Sequence, residues 1–168
     1  SVIIYGPERC GKTYNIMNVL QSEGIDINKC PETVSFSKKA DSNTSDRWIS
    51  LRRSSHHTEI DTQDIFCNDT LLIKDLILLV LNQINLDNKL HFIIIRHFER
   101  LSNDAQYMLR RLMETANMCK FILTVRNYSK VIPSIQSRCT VAARQDGILV
   151  MTCDVDYGAS GSPVFQII

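Results

Sequence analysis

Gly6-Pro7-Glu8-Arg9-Cys10-Gly11-Lys12-Thr13 is where residue type and spacing in this chain most clearly specify chemistry. The string fits GxxxxGK[ST] and stands between a β-branched apolar run, Val2 to Tyr5, and a stretch of helical periodicity. Glycines at both ends let the backbone curl so that its N–H groups converge on phosphate oxygens. The start of the following helix adds partial positive charge. Lys12 is then placed to reach the terminal phosphates, and the Thr13 hydroxyl to ligate magnesium. The expected cofactor is ATP or ADP with Mg2+, bound by Gly6, Pro7, Glu8, Arg9, Cys10, Gly11, Lys12 and Thr13.

Hydrolysis needs a further acid at the end of a buried strand, to hold magnesium and orient water. The run His91 to Ile95 is that strand by composition, but it ends Arg96-His97-Phe98-Glu99. A cation stands at Arg96 where a carboxylate would be needed. Glu99 is the only carboxylate near, and its plain reading is a surface acid paired with Arg100 or Arg96. Nucleotide binding with weak or absent hydrolysis is expected.

The rest of the chain must position these groups. At 168 residues and 19.2 kDa it is long enough for one domain with a sizeable core, and 44% hydrophobic with 22% charged residues argues against general disorder. Val2–Tyr5 reads as a buried strand, and a helix should follow from about Lys12, with Ile16, Met17 and Leu20 on one face and Gly24 as its stop. Thr33 to Ser37 alternates as an edge strand would, and Trp48 to Leu51 and Thr58 to Ile60 are short strand candidates in an otherwise polar stretch. Leu71 to Ile84 is apolar on nearly every side, a buried helix with Asp69 or Thr70 as its N-cap. Phe92 to Ile95 and Phe121 to Val125 are central strands. Between them Ser102 caps a helix with the stripe Ala105, Met108, Leu109, Leu112 and Ala116. Pro133 should interrupt whatever follows. Strand, helix, strand, helix, strand predicts an α/β fold with a parallel sheet sandwiched between helices.

Net charge is +1, but Lys89 to Arg144 holds ten Lys or Arg against three acids, whereas Gln145 to Ile168 holds three acids and no Lys or Arg. The basic segment leaves room for a polyanion. Six cysteines without a CxxC pair disfavour a zinc site or a disulfide framework. No apolar run approaches a membrane span. The expectation is a soluble, intracellular chain without a leader peptide.

Leu101-Ser102-Asn103-Asp104-Ala105-Gln106, Leu109-Arg110-Arg111-Leu112-Met113-Glu114, and Ser129-Lys130-Val131-Ile132-Pro133-Ser134-Ile135-Gln136-Ser137-Arg138-Cys139 together resemble one family. It is the small subunits of the sliding-clamp loader, replication factor C, among the AAA+ ATPases. The likeness is greatest to the subunit type whose own ATPase centre is degenerate, and covers about residues 1 to 144. It implies a P-loop AAA+ core within a hetero-oligomer of clamp-loader subunits that opens a sliding clamp and places it on primer–template DNA in the nucleus. Ser137-Arg138-Cys139 matches the family's SRC motif, whose arginine reaches the neighbouring subunit's ATP, which makes Arg138 a finger. The helix bearing Tyr107, Arg110, Arg111 and Glu114 would face the DNA channel, with Arg110 and Arg111 toward phosphates. By the same resemblance the Walker B acids fall at Arg96 and His97, and the sensor asparagine at Arg126, with Asn127 one place displaced. The adenine-contacting segment, the lid and the collar have no counterpart, so the chain is a fragment or has lost those roles.

Residues 145 to 168 form a distinct acidic tail. Its Gly158-Ala159-Ser160-Gly161-Ser162-Pro163 is similar to the GxSGxP nucleophile motif of trypsin-like peptidases. A nucleophilic Ser160 would need a histidine and a carboxylate. His56 or His57, with Asp75, Asp87 or Asp104, are in the right chain order, but the histidines read as polar loop residues. The leading expectation is a nucleotide-binding clamp-loader subunit. The alternatives are a serine hydrolase centred on Ser160 and a binding-only AAA+ remnant.

Overall fold

The computed structural model describes residues 1–25, 34–35, 50–63, 70–84, 90–145 and 148–152. Its strands are β1 (Val2–Tyr5), β2 (Val34–Ser35), β3 (Ser50–Arg53), β4 (His57–Asp61), β5 (His91–Arg96), β6 (Cys119–Val125), β7 (Thr140–Gln145) and β8 (Ile148–Thr152). Its helices are α1 (Lys12–Ser22), α2 (Thr70–Ile84), α3 (Asn103–Thr115) and α4 (Pro133–Gln136). The strands form one sheet in the order β2-β3-β4-β5-β6-β1-β7-β8. Strands β4, β5, β6, β1 and β7 run parallel, while β3 and β8 pair antiparallel at either side. This is the expected α/β architecture, a largely parallel sheet between helical layers.

Alternation along the strands builds the two layers. In β1, Ile3 faces one core and Ile4 the other; in β5, Ile93 and Ile95 go one way, Phe92 and Ile94 the other. The first core packs against Leu76, Ile77 and Val80 of α2, Ala105 and Leu109 of α3, and Ile135 of α4. The second packs against Ile16 and Leu20 of α1. Ile3, Leu76, Ile77, Ile93, Ile94, Leu109 and Phe121 are fully buried, and each such side chain contributes roughly 1.5–3 kcal/mol by leaving water. Both faces of the central strands are thus covered, as apolar runs of this kind require.

Local signals account for the helix ends. The Ser102 hydroxyl accepts the Ala105 N–H at 3.2 Å at the start of α3, and Gly24, at φ 79°, lies just past α1. Helix α2 begins at Thr70, and Asp69 lies outside the described residues. Pro133 opens α4 rather than breaking an element, because a first-turn residue has no intrahelical partner for the N–H that proline lacks. The edge strand expected at 33–37 is described only at Val34–Ser35, and that expected at 48–51 only from Ser50 onward. Gln106, fully buried on α3, donates through Nε2 to the Leu101 and Lys130 carbonyls at 3.1 and 3.0 Å and accepts the Ile132 N–H at 3.0 Å. No described helix is long and apolar enough to cross a membrane.

His57 is not the polar loop residue expected. It lies in β4, buried, with Nδ1 on the Ser54 hydroxyl. Nearby on β5, buried His91 meets the Thr58 hydroxyl through Nε2 at 2.9 Å. Burial, then the positive charge of Arg53, His57 and His56, lowers its pKa from 6.5 to about 4. The fold therefore favours the neutral ring, whereas the unfolded chain takes a proton below pH 6.5. This contribution is complete above that pH and is lost as pH falls toward 4, on the order of 3 kcal/mol in all. Urea unfolding across that range should show wild type losing more stability than His91→Gln. Parallel profiles for the two proteins would refute the assignment.

Candidate functional site

The carboxyl ends of β4, β5, β6 and β1 lie side by side, where open α/β sheets receive ligands. They border a cleft of about 480 Å³ lined by Glu8, Arg9, Gly11, Lys12 and Thr13 of the loop after β1, and by Arg96, His97 and Arg126 of its neighbours. The Gly6 N–H ties the loop to β6 through the Val125 carbonyl at 3.2 Å. The backbone is left-handed at Arg9 (φ 58°) and at Gly11 (φ 82°), the residue that opens α1. Left-handed residues in such a loop, with a helix start behind them, are the conformation from which anion nests are built. Lys12 folds over its own loop, donating through Nζ to the Gly6 and Pro7 carbonyls at 2.7 and 2.6 Å, with the Cys10 sulfur at 3.8 Å. Across the mouth, Glu8 forms an ion pair with Arg126, both more than half exposed.

The end of β5 differs from what its own residues suggest. Arg96 does not stand open, nor does it meet Glu99. Its Nη1 lies 3.0 Å from Glu59 Oε1 and 3.7 Å from Asp61 Oδ2, both carboxylates coming from β4. Glu59 is buried, with Arg52 4.0 Å away as a second, outer cation. His97, at φ 52°, places Nδ1 2.9 Å from Asp61 Oδ1. The Thr62 hydroxyl donates to the Arg96 and His97 carbonyls at 3.0 and 2.8 Å and holds that turn. Burial alone would raise the Asp61 carboxyl, but the Gln63 N–H, the His97 ring and Arg96 together bring it below its ordinary value. Glu99 keeps one oxygen, Oε2, buried without a hydrogen-bond partner among the described residues. Glu59 and Asp61 were missed because their meeting with Arg96 depends on the parallel register Asp61↔Arg96, which no local pattern encodes. The only local signal is their own spacing, two residues apart in a strand.

These residues fit one expected group and not the other. A nest, a helix start and Lys12 suit the phosphates of a nucleotide. For Mg2+, a hard ion that takes several oxygen ligands, the cleft offers the Thr13 hydroxyl, while the nearest β4 carboxylates are engaged by Arg96 and His97. Among the described residues, no group of three His, Cys, Asp or Glu could hold a metal ion. Arg126, at the position expected for a sensor residue, lines the cleft, and Asn127 is used elsewhere, its Oδ1 accepting the Ser129 N–H at 3.2 Å and hydroxyl at 2.6 Å.

A second cluster sits away from this cleft. Arg138, half exposed just after α4, places Nη1 2.6 Å from Glu114 Oε1, and Arg110 Nη2 lies 3.1 Å from the same oxygen. Its neighbour Cys139 is buried, which pushes the thiol up to about 11. Arg111 and Tyr107 are exposed on α3, whereas Arg110 is drawn toward Glu114. Ser160 and Asp87 lie outside the described residues. The two histidines considered with Ser160 already have partners, His56 on the Ser55 hydroxyl at 2.7 Å and His57 on Ser54.

No protein-family model matches the chain. It is 30% identical over 149 residues to human replication factor C subunit 3, covering 82% of this chain and 40% of that protein. Replication factor C subunit 3 of Arabidopsis thaliana is 30% identical over 145 residues, and replication factor C subunit 5 of Schizosaccharomyces pombe 30% over 148, each across 82% of this chain. The chain spans about 40% of the length of these relatives. Among solved structures, PCH-2 of C. elegans superposes with a TM-score of 0.55 at 13% identity, over 85% of this chain and 34% of that one, a likeness of fold.

Proposed function

The chain belongs to the replication factor C family, and from that premise we propose that it is the nucleotide-binding core of a DNA clamp-loader subunit, with little or no hydrolysis in its own site. The observation that carries this reading is the cleft at the strand ends, where an intact phosphate loop faces an Arg96 locked between Glu59 and Asp61. Nucleotide phosphates would settle on the loop N–H groups around Gly11, and Lys12 would turn from its carbonyls to them. No carboxylate in the described lining beyond Glu8 is placed to accept a proton from water, and Glu8 faces Arg126.

On the same reading residues 1 to 144 are the AAA+ core, and residues 145 to 168 are an unrelated acidic tail. Arg138 serves the ATP of an adjacent subunit, and Arg111, with Arg110, meets DNA phosphates. The partners are other clamp-loader subunits, the sliding clamp and primer–template DNA, in the nucleus. The relatives' names support the assembly, and the exposed positions of Arg111 and Arg138 support the contacts.

Nucleotide should stabilise the chain through linkage by about 2.7 kcal/mol at a hundredfold excess over Kd, and so raise its melting temperature. Lys12→Ala should remove that rise. Steady-state ATP turnover by wild type should not exceed that of Lys12→Ala. An unchanged melting temperature at saturating ATP and ADP would defeat the binding assignment. Lys12-dependent turnover would defeat the claim of a silent site.

A further inference from the structure

We propose that the cleft holds nucleotide phosphates with its own side-chain cations and without a divalent metal ion. This rests on the nucleotide-binding reading and specifies how that site balances charge. Among the described residues the lining carries four permanent cations, Arg9, Lys12, Arg96 and Arg126, against one carboxylate, Glu8. With Arg96 balanced by Glu59 and Asp61 behind it, the other three still outnumber Glu8. A divalent ion would enter a field that is already positive, with the Thr13 hydroxyl as its evident protein ligand. The carboxylates that could have served it, Glu59 and Asp61, face Arg96 and His97 instead.

Arg126 is the group that takes over. It projects from the end of β6 beside the phosphate loop, and its present partner, Glu8, is a solvent-exposed acid. An exposed pair of this kind is weak and exchanges readily. A phosphate offers the guanidinium two oxygens at once and more charge. Nucleotide entry is then an exchange in which Arg126 leaves Glu8 and Lys12 leaves the Gly6 and Pro7 carbonyls. Arg96 remains with Glu59 and Asp61, which neutralise it, and takes no part in the exchange.

The test is equilibrium dialysis of the full chain with radiolabelled ADP and ATP, in magnesium buffer and in excess EDTA. Affinity in EDTA should stay within about threefold of that in magnesium. In EDTA, Arg126→Gln should weaken binding by about tenfold, and Glu8→Gln, which frees Arg126, should strengthen it. Binding seen in magnesium and lost in EDTA would overturn this inference while leaving the nucleotide reading in place. Equal affinities for wild type and Arg126→Gln in EDTA would overturn the role given to Arg126. Absence of binding in both buffers would overturn the nucleotide reading and this inference together.

Discussion

Replacing Arg138 with alanine is expected to lower ATP turnover by a reconstituted clamp-loader assembly on the order of 10³- to 10⁵-fold, with nucleotide binding by this chain unchanged. The side chain is half exposed, and its described ion pair is with Glu114, itself more than a third exposed. Breaking such a pair costs the fold at most about 1 kcal/mol. Any larger effect must come from what the guanidinium does outside the chain. Charge developing on a transferred phosphoryl group is what a planar, permanently ionised fork can stabilise. Arg138→Lys should therefore be nearly as damaging as Arg138→Ala. The measurement is steady-state turnover with a competent neighbouring subunit, with and without primer–template DNA. Equal rates for wild type and Arg138→Ala would remove the finger role.

The second large effect concerns stability. Arg96→Ala should destabilise the chain by about 2–4 kcal/mol in urea unfolding, because it strands buried Glu59. The figure lies slightly below that for a fully buried pair because Arg96 is 29% exposed and Arg52 remains 4.0 Å from the other Glu59 oxygen. Glu59→Gln in the same background should recover much of the loss, since an amide needs no counter-ion. Failure of that second change to restore stability would mean that Arg96 acts through packing and not charge.

What was legible in the residues was what local pattern controls. The apolar runs of β1, β5 and β6, the stripe of α3, the Ser102 cap and the phosphate loop each announce themselves within a few positions. The charge network at the strand ends did not. Arg96 reads alone as a free cation opposing a metal, and only the β4–β5 register shows it neutralised by acids some 35 residues earlier. His57 reads as a loop residue because its polar neighbours hide a strand whose burial comes from tertiary packing. Glu8 with Arg126, and Glu114 with Arg138, are likewise pairs of exposed-looking residues joined by the fold. Pro133 was misread because the same lack of an N–H that breaks a helix interior suits a helix start.

Gln106 gives the molecule a lever. Its amide fastens α3 to Lys130 and Ile132 on the strap that leads into α4 and on to Arg138, while Glu114, two turns further along α3, grips Arg138 itself. Helix and strap are joined at two points, a buried amide and an exposed ion pair, of which the amide is the firmer. A shift of α3 would therefore carry the segment before α4 along with it through the buried Gln106 amide, with no unfolding in between.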